Sequence, residues 1–79
     1  MDQSSREKLR RIFLAVFELP EDSDVSMLEQ GKSEVWDSLA HVSLIAAMES
    51  EFGISLDAGD MMRVSSYDVA VLVLEEQGL

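Results

Sequence analysis

The stretch Trp36-Asp37-Ser38-Leu39-Ala40-His41-Val42-Ser43-Leu44-Ile45-Ala46-Ala47-Met48-Glu49-Ser50-Glu51-Phe52-Gly53 reads as one helix with both of its ends marked. Asp37 is suited to the N-cap, because its carboxylate can accept a hydrogen bond from the amide of Leu39 or Ala40, and Ser38 then opens the helix. Gly53 closes it, since glycine takes the left-handed backbone angles on which helices end. With a turn of about 100° per residue, Val42, Ile45, Met48 and Phe52 form a stripe suited to a core, while Ser43, Ala47, Ser50 and Glu51 lie on the far side. Leu39 and Ala46 flank the stripe and keep part of their surface exposed.

The segments on either side extend the helical pattern. Ser4 and Glu7 have the spacing of a capping box, and Leu9, Ile12, Phe13, Val16 and Phe17 recur at the intervals of one helical face, so a first helix runs until Pro20 halts it near Glu18 or Leu19. Residues 20–36 are a long connection with scattered apolar anchors, among them Val25 and Trp36. Asp57 and Asp60 predict a short helical turn through Met61, Met62 and Arg63. Ser65 with Asp68 forms another capping box, and Val64 with Val69 has the spacing of a hydrophobic staple. A last helix therefore runs from about Ser66 to Gly78, with Val69, Leu72, Val73 and Leu74 on its apolar face. The expected fold is all-α: a small four-helix bundle with a short third helix and a long loop between helices one and two, built as a single domain over residues 1–79.

Composition narrows what such a domain can do. With no cysteine among its 79 residues, the chain has no disulfide, no thiolate metal site and no cysteine nucleophile. The formal charge is −10. Arg6, Lys8, Arg10 and Arg11 outnumber Asp2, Glu7 and Glu18 in the first nineteen residues, so residues 20–79 carry −11. That balance disfavours nucleic acid and anionic membranes and favours partners with basic patches. No apolar run approaches the roughly 20 residues that span a bilayer. Ile12–Phe17 follows basic residues as a leader would, but Glu18 interrupts it and no small-residue cleavage site follows, so it reads as a mature helix and the protein as cytoplasmic.

The sequence Trp36-Asp37-Ser38-Leu39, followed by His41-Val42-Ser43-Leu44-Ile45 and Glu49-Ser50-Glu51-Phe52-Gly53-Ile54, resembles the acyl carrier protein family, and the resemblance in helix order covers nearly the whole chain. The resemblance implies that Ser38 carries a covalent 4′-phosphopantetheine arm, taken from coenzyme A by a phosphopantetheinyl transferase. Such an arm would supply the thiol that the chain lacks and would hold acyl or aminoacyl cargo as a thioester. By the same resemblance Asp37 helps the transferase read the site, Leu39, Val42, Ala46 and Glu49 lie along the helix that partner enzymes recognise, and Val64 completes that surface. Partners would be acyl- or aminoacyl-loading and acyl-transfer enzymes with basic docking patches. The protein itself would be a monomer and not an enzyme. Val35 stands where the family often has glycine, and Ala40 and Ser43 where it often has acids, which bears on the choice of transferase and partners.

A helix N-terminus suits such an attachment, because a phosphodiester there meets unpaired amide protons and the positive end of the macrodipole. Other chemistries fit less well. His41 follows Ser38 by one turn, but no third residue is placed to orient it and there is no Gly-x-Ser-x-Gly elbow. Asp22, Asp24 and Ser26 open like a calcium loop, yet Met27 and Ser33 stand where glycine and glutamate are required. The alternative from another class is an acidic helical protein-interaction module without a prosthetic group.

Overall fold

The computed structural model describes residues 1–79 and is all-α. Helix α1 spans Gln3–Val16, a single 3₁₀ turn covers Val25–Met27, and helices α2, α3 and α4 span Ser38–Phe52, Ala58–Arg63 and Tyr67–Glu76. The element order, the short third helix and the long first connection follow the sequence expectation. No helix is long and apolar enough to cross a membrane.

Each α-helix starts at a side-chain cap, though not always at the expected one. The cap of α1 is Asp2, whose Oδ1 accepts from the Ser5 amide at 2.7 Å, and Ser4 falls inside the first turn. Asp57 caps α3 by accepting from the Asp60 amide at 2.8 Å. Ser66, rather than Ser65, caps α4 by accepting from the Val69 amide at 3.2 Å. The Ser65 carbonyl is engaged elsewhere, accepting from the Gln30 amide at 2.9 Å in an isolated bridge that ties the first connection to the start of α4.

Sixteen residues are buried, and all are apolar. Phe13 of α1 is the centre of an aromatic group, with Phe17, Trp36 and Tyr67 at ring-centroid distances of 5.7, 5.7 and 5.4 Å. Trp36 and Tyr67 meet it edge-on, the arrangement that aromatic quadrupoles favour. Trp36 therefore anchors the long connection as expected, together with buried Val25. On α2 the core face is Leu44, Ile45 and Met48, with Phe52 half-buried. Val42, assigned to the core stripe from the sequence, is 65% exposed. On α4 the buried positions are Ala70, Val71, Val73 and Leu74, while Leu72 is turned outward and Val69 is half-buried. Helix α3 buries nothing itself and is held by Leu56 and Val64 on either side. Met27 and Met62 are the other extreme, at 76% and 80% exposure.

Helix α1 ends at Val16, earlier than Pro20 alone would dictate, because Glu18 turns the chain at φ +54°. The Glu18 amide then donates to the Ala15 carbonyl at 3.3 Å and the Leu19 amide to the Leu14 carbonyl at 2.9 Å, the two bonds of a Schellman closure. Helix α2 also ends on a left-handed residue, Gly53 at φ +65°, and there the Gly53 and Ile54 amides both donate to the Glu49 carbonyl, the latter at 3.1 Å. A left-handed position suits glycine and strains any residue with a Cβ by about 1–2 kcal/mol. Two opposite substitutions test this. Gly53→Ala, where an added Cβ meets nothing within 4 Å, is expected to lose about 1 kcal/mol through backbone strain alone. Glu18→Gly is expected to raise the urea midpoint, with a gain of up to about 1 kcal/mol after the added chain entropy is counted.

Candidate functional site

The start of α2 presents Ser38 at the surface. Asp37 holds the extended angles of an N-cap (φ −92°, ψ −177°) and its Oδ1 accepts from the Ala40 amide at 2.8 Å, the second of the two amides considered from sequence. The Asp37 carbonyl accepts from the His41 amide at 2.9 Å. The amides of Ser38 and Leu39 have no partner further up the helix, as the geometry of any helix start requires. Ser38 is exposed, and its hydroxyl makes no hydrogen bond within the protein. A hydroxyl at this position is free to be substituted without breaking any interaction of the fold, and an anion attached to it faces the positive end of the helix.

Two grooves lie near the start of α2, neither of them lined by Ser38 itself. Towards α1, a shallow groove of about 340 Å³ is lined by Val16, Phe17, Val35, Leu39 and Ala40, with Glu18, Asp37 and Ser43 at its polar part. Towards α3, a groove of about 230 Å³ is lined by His41, Val42, Ile45, Ala46, Glu49 and Met61. Leu39 and Val42 are 77% and 65% exposed and Ala46 is exposed as well, so these three share the outer face of α2.

Two of the residues assigned to a partner surface have different surroundings. Val64 is fully buried beside α3 and presents nothing to a partner; with Ser66 as the cap of α4 it stands two residues before the cap, outside the staple position expected for it. Glu49 is half-buried, and its Oε2 accepts from the Leu56 amide at 2.8 Å. That bond ties α2 to the segment entering α3 and gives Glu49 a structural task beside any role at the surface.

His41 also has partners that sequence reading did not anticipate. The Trp36 indole N–H lies 3.1 Å from its Nδ1, and its Nε2 lies 2.8 Å from the Met61 carbonyl oxygen. An indole nitrogen only donates and a carbonyl oxygen only accepts. Nδ1 must therefore accept and Nε2 must carry the proton, so one neutral tautomer satisfies both contacts. The two rings are near-parallel, with centroids 6.2 Å apart. The single histidine of the chain thus joins the first connection to α3 across the base of α2. The only signal in the sequence was its place one turn after Ser38, which by itself marks no more than an ordinary side chain at the edge of the α2 face.

The acidic surface is partly organised into pairs. Arg63 on α3 donates to Asp60 at 3.0 Å and, through both terminal nitrogens, to the Glu76 carboxylate at 2.7 and 3.1 Å, joining α3 to the end of α4. The Arg63 guanidinium holds the Glu76 carboxyl below the ordinary glutamate value, and the two carboxylates keep Arg63 more firmly protonated than usual. No three acidic or histidine side chains converge as metal ligands. No family model, curated protein or solved structure matches the chain.

The Arg63–Glu76 pair carries a pH dependence of known sign. Because the folded carboxyl titrates below its unfolded value of 4.5, the pair stabilises the fold above that pH and the contribution is lost as pH falls through the depressed folded value. The difference in unfolding free energy between wild type and Arg63→Met, followed by urea denaturation, is expected to be largest near neutral pH and to shrink steadily below 4.5. Equal differences at neutral and strongly acidic pH would assign the effect to lost packing of the arginine stem.

Proposed function

We propose that the protein is an acyl carrier protein, a carrier-type four-helix bundle that bears acyl or aminoacyl groups as thioesters on a 4′-phosphopantetheine arm attached to Ser38. The observation that carries this reading is the unbonded, exposed Ser38 hydroxyl at the capped start of α2, on a helix whose outer face exposes Leu39 and Val42. The residues present fit the group. Ser38 offers an oxygen that nothing else uses, and the first-turn amides favour a phosphodiester beside it. Asp37 fixes the helix start through the Ala40 amide and so sets the direction in which Ser38 points. The arm supplies a thiol, which is the nucleophilic sulfur needed for thioester formation and which this chain does not contain.

The partner surface on this reading is the outer face of α2. Leu39, Val42 and Ala46 offer the apolar centre, and the net charge of the chain favours enzymes with basic rims around their active-site entrances. Exposed apolar side chains that the fold does not use are suited to transient contacts, because they are free to bury against one enzyme after another. The rival reading, an acidic helical module that binds a partner and carries nothing, uses the same face without Ser38.

Intact mass separates the two. After incubation with coenzyme A, magnesium and a broad-specificity phosphopantetheinyl transferase, the wild-type chain is expected to gain one phosphopantetheinyl group and Ser38→Ala none, with the same far-ultraviolet dichroism for both. Absence of a gain with every such transferase would favour the interaction module.

A second measurement addresses the surface. Val42→Asp is expected to change stability by less than about 0.5 kcal/mol, since the side chain is mostly exposed, yet to slow acyl transfer from the loaded protein to a carrier-dependent enzyme by at least about tenfold. Unchanged transfer would remove Val42 from the docking face.

A further inference from the structure

The geometry points to His41 as a pH-operated tie that fixes the connection before Ser38 to the rest of the fold in its neutral form and releases it when protonated. Trp36 is 4% exposed, and its indole N–H has one partner, His41 Nδ1. The imidazole is part-buried between that indole and the Met61 carbonyl, and both of its nitrogens are occupied. A second proton on the ring can only go to Nδ1, where it would face the indole N–H instead of a lone pair. The contact to Met61 is unaffected, because Nε2 donates in both forms. Protonation thus breaks one side of the tie and keeps the other.

The charged groups on the surrounding elements do not replace the lost bond. Asp37, at the end of the connection, is committed to the Ala40 amide. Glu49, which shares the α3-side groove with His41, is committed to the Leu56 amide. On α3, Asp57 caps the helix, and Asp60 and Arg63 are paired with each other. Glu34, two residues before Trp36, is exposed and makes no ion pair. None of these lies within bonding distance of the ring, so a protonated His41 gains no anionic partner without rearrangement.

The position of the tie determines what its release affects. Trp36 precedes Ser38 by two residues and His41 follows it by three, so the bond closes a short loop that contains Asp37, the serine itself, Leu39 and Ala40. Breaking it leaves a buried donor unpaired, and the connection can relieve this only by moving the indole towards water. The segment that presents Ser38 would therefore loosen on mild acidification while α3 stays attached. This response does not depend on whether Ser38 is modified.

Trp36 is the only tryptophan, so its indole proton is a single resolved probe. In the full chain, the protection of that proton against exchange, corrected for the intrinsic rate, is expected to fall by about tenfold or more between about pH 7.5 and about pH 5.5, with a parallel change in tryptophan emission. His41→Gln can accept from the indole and donate to Met61 but does not titrate, and its protection is expected to stay level across the same range. A ¹⁵N spectrum of the wild-type imidazole at pH 7.5 is expected to show the proton on Nε2, a readout that needs no variant to fold. A level wild-type response, a His41→Gln response equal to wild type, or a proton on Nδ1 at neutral pH would each overturn the assignment.

Discussion

Everything else in this fold depends on the burial of Phe13. Its ring is fully enclosed and touches Phe17 on the same helix, Trp36 on the first connection and Tyr67 at the start of α4. Removal of a buried phenylalanine side chain costs about 3–5 kcal/mol. Small domains hold only about 5–15 kcal/mol of net stability in all. With sixteen buried residues and no buried polar group, there is no second core to take over. The aromatic group also explains why a connection of more than twenty residues is ordered: Trp36 packs against Phe13 and Phe17, and the Gln30–Ser65 bond fastens its middle.

Helix α2 illustrates how that thin core shapes the candidate site. One face, Leu44, Ile45 and Met48, is consumed by packing against the other helices. The opposite face retains Leu39, Val42 and Ala46, apolar side chains that the core has no room to accept. Helix α3 covers the edge between the two faces without burying a residue of its own, and polar ties hold it there: His41 to Met61, Glu49 to Leu56 and Arg63 to Glu76. The surface beside Ser38 is therefore bounded by contacts that can be remade at small cost, whereas the serine itself stands on a firmly capped helix.

The chemistry of some helix ends was legible in the sequence, whereas the caps expected at Ser4 and Ser65 stand at Asp2 and Ser66. Asp37, Gly53 and Asp57 do what their residue types imply, because a cap depends on a few adjacent atoms and little else. The faces were harder to read. In α2, Leu39, Val42, Leu44, Ile45, Ala46, Ala47 and Met48 encircle the helix, so periodicity alone does not say which side turns inward; Leu44 is fully buried although the stripe drawn from sequence omitted it. Val64 belongs to the core and not to the surface, and the cap at Ser66 moves it out of the staple position that Ser65 would have given it. At α1, Asp2 and Ser4 are both competent caps, and only the first turn of the folded helix decides between them. The Trp36–His41 pair has no periodic signature at all, as it crosses from an irregular segment to a helix five residues later. Ser38 could be located from the sequence as the residue that opens α2, but only the fold could reveal that its hydroxyl has no partner.

The uneven exposure of the methionines has a chemical consequence. Met27 and Met62 stand almost free in solvent, while Met48 is sealed in the core. An oxidant in solution would convert the first two thioethers to sulfoxides long before it reached the third. Because neither exposed side chain contributes to packing, the fold would survive that change, and its cost would fall on whatever recognises the surface of α3 and the first connection. Oxidative damage would thus alter this molecule's outward chemistry, leaving its architecture intact.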